Sequence, residues 1–477
     1  LTTDLVAEGT TVRVGDAMHA LAFVGDLSMG QPCNHSRRVA ALARRLALAL
    51  GRAELAADAT SVALLRWSGC TANAGEIAAL LGDDVAGRAK MLAEPALLAQ
   101  LQAAALTDPA QRERLAAFAG VAQIHCEVAG DTAHRLGLPA AVEQALRHVF
   151  DGYDLEGSGG AATELVAIVT LCGEFEIAAR LQGAGALPAA DGRHPRRLVE
   201  ALRTHARCWL AELDGEAEDD VVAQVPDADV PLRLLADVID LKLPWLTGHS
   251  RAVASAVEAA GGRLGLDPAA VQRTVAAALL HGMGRAALPN ALWNKPSPLT
   301  RADHEQIRLA AYWTARAARE LAGLSAEADL ASWVFERGDG SGHFRGLAPQ
   351  SPEARLLAAA ASWVALRSPR PWRPAFDEAE AARILREDAG AGRYDREVVE
   401  ALLGAPAPRP RATPTLLSPR ELDVLRAIAH GASNKEAAQG LGISPATVRT
   451  HLEHVFEKLA CSSRAAATLK AVELGLL

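Results

Sequence analysis

Aromatic residues are scarce, 4% of 477, and no alternating β-branched runs occur that would build a half-buried sheet. A β-rich fold is therefore not expected. There is no stretch of about 20 uncharged apolar residues, the length a membrane-spanning helix needs. The N-terminus carries no basic segment followed by an apolar run, so no signal peptide is expected. Six cysteines in a chain of this length do not make the disulfide framework of a small secreted domain, and the reducing cytoplasm is the expected compartment. Lysine is nearly absent and arginine supplies almost all the basic charge, which reads as coding bias rather than function. The net charge of −8 excludes a polycation that coats DNA, so any affinity for DNA must be local to one domain.

What is present points to helices. Half of the residues are apolar, and alanine, leucine and arginine fill long stretches. The length calls for two or three domains. Two segments read as linkers: an acidic one at 214–231 (DGEAEDDVVAQVPDADVP) and a Pro-rich one at 404–416, where proline fixes φ and removes amide donors. They separate domains at 1–213, 232–403 and 417–477. The first two look like copies of one another. His35-Ser36-Arg37-Arg38-Val39-Ala40 recurs as His249-Ser250-Arg251-Ala252-Val253-Ala254. An apolar helix with a polar end follows at 62–70 and again at 275–284. Asp154-Leu155-Glu156-Gly157 is answered by Asp339-Gly340-Ser341-Gly342. Repetition on this scale predicts two copies of one helical domain in an all-α chain.

The last segment is the most specific. Ser418-Pro419-Arg420-Glu421 reads as an N-cap, a proline at the first helical position and an acid in the first turn. A short helix follows from Asn434, then a tight turn at Leu441-Gly442-Ile443. Ser444-Pro445 starts a third helix running to Leu459. Val448, Leu452, Val455 and Leu459 share its core face. Arg449, Thr450 and Glu453 stand on the other face, flanked by Thr447, His454 and Lys458. A short helix, a turn and a longer helix with a polar face fit the major groove. Arginine can donate to guanine and glutamate can accept from cytosine. Lys435 suits a phosphate. LSPRELDVLRAIAHGASNKEAAQGLGISPATVRTHLEHVFEKLACSSRAAA closely resembles the LuxR/GerE-type helix-turn-helix. That resemblance implies binding of double-stranded DNA, a recognition helix at 444–459 and a final helix that often mediates dimerisation.

The paired domains resemble HD-type phosphohydrolase domains of the HD-GYP branch. HGMGRAALPNALWNKPSPLT (281–300), FERGDGSGHFRGL (335–347) and RSPRPWRP (367–374) carry the resemblance in the second copy. DLSMGQPCNHSRRVA, the 62–70 helix, His125-Cys126-Glu127 and FDGYDLEGSG carry it, more weakly, in the first. The resemblance implies a binuclear metal centre built from histidines and aspartates. Most of those residues have gone. His249 and His281 remain in the second copy, but the Asp of the His-Asp pair is Gly282, and Ala310 and Val334-Phe335 replace further histidines. In the first copy His35 and His125 remain, and the pair reads as Gly69-Cys70. A pseudoenzyme is expected.

Two alternatives stand for the relics. His35, Cys70 and His125 could hold a soft metal or a haem iron, or else be buried and hydrogen-bonded residues with no ligand. Arg285, Asn294, Lys295, Arg370 and Arg373 could read phosphate, with a cyclic dinucleotide the ligand that the resemblance implies, or else be surface charges. An apolar ligand is also open. The expected function is a homodimeric transcription regulator whose degenerate copies sense a small ligand or mediate dimerisation. The competitors are a metal-dependent phosphodiesterase with a DNA-binding tail and an interaction scaffold.

Overall fold

The computed structural model describes residues 10–94, 103, 106, 108–150, 160–183, 186, 193–215, 226–404 and 416–477. Most of the acidic linker, most of the Pro-rich linker and the first copy's DLEG loop lie outside the described residues. The fold is all-α. Among the described residues the only strands are Thr11–Arg13 and Asp229–Pro231, three residues each, which pair with one another.

The chain forms two compact units, one of Arg13–Val230 and one of Pro231–Leu477 together with residues 10–12. The second unit holds both the second HD-like copy and the helix-turn-helix, which the sequence reads as separate domains. Three helices open each copy. In the first unit they are Val14–Ser28, His35–Ala49 and Ala56–Leu65, backed by Pro109–Arg135 and Ala161–Gln182. In the second they are Arg233–Asp240, His249–Arg263 and Pro268–Leu280, backed by Arg301–Ala318 and Pro352–Leu366. Local sequence sets many of these starts. Asp267 caps Ala269 and Ala270 ahead of Pro268, Ser351 caps Ala354 ahead of Pro352, and Thr300 with Asp303 forms a reciprocal capping box.

Two glycines fix the register between the copies. A Cβ on Gly69 would lie 2.2 Å from the backbone oxygen of His125, and one on Gly284 would lie 1.9 Å from that of Ala310. Each chain segment crosses the backing helix so closely that only glycine fits. With Gly69 equivalent to Gly284, Arg66 falls at the place of His281 and Trp67 at the place of Gly282. Arg66 and His281 are also the residues that close their helices. In that register the residues facing the place of His281-Gly282 are Arg66-Trp67, not Gly69-Cys70.

The C-terminal bundle comprises Pro419–Ala429, Asn434–Leu441, Pro445–Leu459 and Arg464–Glu473. Ser418 with Glu421 and Ser433 with Glu436 form capping boxes, and Ser444 caps Thr447. Gly442 takes φ 65°, the left-handed conformation that turns the chain between the two middle helices. Val448, Leu452, Val455 and Leu459 are buried as the periodicity predicts.

Candidate functional site

Three places carry functional side chains. The first is the polar face of Pro445–Leu459. Thr447, Arg449, Thr450, Glu453 and His454 are all exposed there, as is Lys435 on the preceding helix. Arg449 Nε donates to Glu453 at 3.0 Å across one helical turn, an exposed pair that a nucleic acid can displace cheaply. Lys458 differs from expectation. Its Nζ donates to both carboxylate oxygens of Glu421, at 2.7 and 3.0 Å, and Glu421 is buried. Against the desolvation of its burial, Lys458 and Ser418 hold the Glu421 carboxyl down at about 2. Lys458, with its side chain 41% exposed, thus ties the third helix to the first.

This bundle sits on the second HD-like copy. Thr247 Oγ1 lies 2.9 Å from the Ala429 carbonyl, at the end of the bundle's first helix, and 2.8 Å from that of Pro244. Arg251 Nη1 reaches the Val472 carbonyl at 3.4 Å, and a Cβ on Gly431 would meet the Pro244 Cβ at 3.0 Å. The segment 244–251 therefore forms a seat for the helix-turn-helix. It also carries His249.

The second place is the centre of the first copy. Asp26 accepts from both the backbone nitrogen and the hydroxyl of Ser36, fixing the start of the helix that bears His35. His35 is fully buried. It bonds Glu176 through Nδ1 and Arg66 through Nε2, and it stacks on Trp67 at 4.8 Å between centroids. Arg38 also donates to Glu176. Burial pushes the His35 imidazole down to about 4 despite the Glu176 bond. Of the expected metal set, the structure brings together only two members: Cys70 Sγ and His125 Nδ1 lie 3.6 Å apart. His125 Nε2 lies 2.7 Å from the Arg66 carbonyl, and Cys70 Sγ also touches Met29 Sδ at 3.3 Å. His35 points elsewhere, with both ring nitrogens occupied. No group of three or more His, Cys, Asp or Glu side chains forms a metal set among the described residues.

The third place is the centre of the second copy. Asp240 repeats the role of Asp26, accepting from the Ser250 nitrogen and hydroxyl, both at 2.8 Å. Burial raises its carboxyl to about 7. His249 and His281 face one another with centroids 5.5 Å apart. Burial holds both neutral, His281 at about 3. His281 Nδ1 lies 2.6 Å from the Ala278 carbonyl, which leaves its Nε2 a lone pair. Arg285 stands beside them, 7% exposed, with its guanidinium where a side chain on Gly282 would point: a Cβ there would lie 3.0 Å from Arg285 Nη1.

Of the expected phosphate-reading set, Arg285 and Arg370 converge on this centre. Asn294 borders it, accepting from Trp245 Nε1 at 2.8 Å, while the Arg370 guanidinium lies 4.6 Å from the Trp245 ring. Lys295 and Arg373 have other partners, although Arg373 lies beside Arg370. Lys295 is ion-paired with Asp303, the capping-box acid. Arg373 donates to the Ala365 carbonyl at 2.7 Å and caps the end of the Pro352–Leu366 helix. Sequence reasoning missed Asp26, Asp240, Arg66, Glu176 and Trp245. The recurrence of an aspartate at one spacing before His35 and His249 was a signal for the first two; Glu176 left none, because it arrives from a distant helix.

The HD domain family matches residues 233–398, and the bacterial regulatory proteins of the luxR family match residues 415–471. The chain thus joins an HD domain to a C-terminal luxR-type helix-turn-helix. It is 27% identical over 172 residues to 3'3'-cGAMP-specific phosphodiesterase 1 of Vibrio cholerae, covering 36% of this chain and 40% of that protein. It is 24% identical over 421 residues to 3'3'-cGAMP-specific phosphodiesterase 3 of the same organism, covering 79% of this chain and 91% of that protein. A crystal structure of a cyclic GMP-AMP specific phosphodiesterase of V. cholerae shares the fold, with a TM-score of 0.55 at 20% identity over 82% of this chain and 97% of that one. No helix among the described residues is long and apolar enough to cross a membrane.

Proposed function

We propose that this protein is a DNA-binding transcription regulator in which the HD-like copies do not hydrolyse and the second acts as a ligand sensor. The observation that carries the reading is the segment 244–251. It seats the helix-turn-helix through Thr247 and Arg251 and presents His249 to the second centre. A ligand that prefers one position of this segment biases the bundle above it, and its effect is limited to that difference in affinity. Homodimerisation belongs to the same reading, since two half-sites multiply the specificity of one small reader.

Loss of hydrolysis follows from charge. A metal pair needs several free carboxylates, and the second centre offers only Asp240, already bonded to Ser250, with two neutral histidines beside a buried guanidinium. The names of the V. cholerae relatives favour a second reading, a manganese- or iron-dependent phosphodiesterase with a DNA-binding tail. One experiment separates them. The full chain is incubated with manganese and 3'3'-cGAMP, and its affinity for a DNA motif enriched from a random duplex pool is measured alongside Thr247→Val. The regulator reading expects no linear product, a two-part motif, and a changed affinity in the variant although Thr247 lies off the DNA face. Turnover, or a chain that enriches no motif, overturns it.

A further inference from the structure

Three metal-type side chains of the first copy meet beside the His35–Trp67 stack. Cys70 Sγ lies 3.3 Å from Met29 Sδ and 3.6 Å from His125 Nδ1. His125 Nε2 lies 2.7 Å from the Arg66 carbonyl, which only accepts. Nε2 therefore carries the ring hydrogen, and Nδ1 turns a lone pair toward the Cys70 sulfur. A metal about 2.3 Å from each sulfur and about 2.0 Å from an imidazole nitrogen sets its ligand atoms about 3.5–4 Å apart. The Cys70–His125 separation already falls in that range. The Cys70–Met29 separation is slightly short, and an unbranched thioether side chain opens it by rotation.

The three side chains come from separate segments that polar contacts lock together. Met29 closes the helix Val14–Ser28, Cys70 ends the short turn Ser68–Cys70, and His125 lies within Pro109–Arg135. Arg88, itself buried, donates to the Ser28 carbonyl at 3.2 Å and to the Cys70 carbonyl at 2.9 Å, bridging the first two. Asn73 Nδ2 donates to the Val121 carbonyl at 3.1 Å, and Gly69 crosses the His125 backbone with no room for a Cβ, which ties the turn to the third. All three side chains are buried. Trp67 and Leu92 pack with Met29 and Cys70, and the Phe150 ring lies 4.8 Å from that of His125. Outer bonds of this kind orient ligands before a metal arrives, and an apolar shell limits the access of water.

The donor set chooses the ion. A thioether suits copper(I) and not magnesium, calcium or manganese. Zinc in a closed site takes four ligands, and no group of three His, Cys, Asp or Glu forms among the described residues. Charge points the same way. Copper(I) replaces the thiol proton of Cys70, which leaves to solvent, so one positive charge enters and one departs. A divalent ion leaves one positive charge more in a site bordered by Arg66 and Arg88, both buried.

We propose that Met29, Cys70 and His125 form a three-coordinate copper(I) site in the first helical copy. His35, bonded to Glu176 and Arg66, takes no part in it.

The test uses the full chain under argon with ascorbate, which keeps copper monovalent, and a coloured bathocuproine chelate as the source of copper(I). Wild type is expected to withdraw one copper(I) per chain, and X-ray absorption at the copper edge to show two sulfurs and one nitrogen. Excess zinc is expected not to displace it. Met29→Leu nearly conserves volume, so it is expected to fold like wild type and to bind copper(I) about tenfold more weakly. Cys70→Ser is expected to lose the metal, while Cys208→Ser, at an exposed cysteine, keeps it. No uptake, an all-sulfur shell, displacement by zinc, full affinity in Met29→Leu or copper retained by Cys70→Ser overturns the site.

Discussion

The two helical copies fill the same central place in opposite ways. In the first, Arg66 stands at the place of His281, bonds His35 and faces Glu176 across it, while Trp67 closes the stack. Both nitrogens of His35 are bonded there, although Arg66 Nη1, like Arg285 Nη1, is buried without a hydrogen-bond partner. In the second, Arg285 arrives without a hydrogen-bonded carboxylate, and both histidines keep a buried nitrogen unpartnered. The Asp–Ser clamp that aims each histidine is the same in both, so the backbone scaffold has survived while the centres diverged. The imidazoles tell the two centres apart: both nitrogens of His35 are bonded, whereas His249 and His281 each keep one buried nitrogen unpartnered.

The largest test concerns the shared scaffold. Gly69→Ala and Gly284→Ala should each cost more than about 3 kcal/mol, because the new methyl meets backbone that cannot step aside. Urea denaturation measures this, and a tolerated alanine at either position would break the equivalence of the copies. Next comes the contrast between centres. Glu176→Gln should cost about 3–5 kcal/mol by stranding buried charge, whereas Arg285→Gln should be neutral or stabilising in the absence of ligand. Equal losses would mean that the centres do not differ as described.

On the DNA face, Arg449→Ala should cost about 1–3 kcal/mol and relax selectivity at one base position, while Lys435→Ala should weaken all sequences alike. Lys458→Ala should instead lower the bundle's stability and leave selectivity intact; a change in the enriched motif would return Lys458 to the interface.

The smallest effect is a pH difference. Burial lowers His35 to about 4 and His281 to about 3, from an ordinary value near 6.5. The unfolded chain therefore takes up these protons first, and stability falls as the pH drops below about 6.5. Asp26 and Asp240, both raised to about 7, act in the opposite sense and equally in the two copies. The loss ends near pH 4 for His35 and continues to about pH 3 for His281. His35→Gln and His281→Gln should each flatten the acid limb of the stability curve. An unchanged limb in either variant would contradict the burial of a neutral imidazole at that position.

The helix-turn-helix was legible because its signals are local: Ser418 and Glu421, Ser433 and Glu436, Ser444 with Pro445, and a clean core stripe. The duplication was legible through the two His-Ser pairs. Failures came wherever a residue's role depends on a distant partner. Gly69-Cys70 looked like the His-Asp position because both it and His281-Gly282 join a helix end to a glycine, yet the glycine that matters in each copy is the one crossing a backing helix. Lys458 looked free because Glu421 lies far away in sequence. Lys295 and Arg373 looked like phosphate readers, but a capping-box acid and a helix end claim them.

Hydrogen–deuterium exchange of the full chain in EDTA, with and without 3'3'-cGAMP, tests the central asymmetry most directly. The account predicts slower exchange around 244–251, 281–287 and 367–373, and none around 26–36 or 66–70. Protection of the first centre, or of neither, would contradict it.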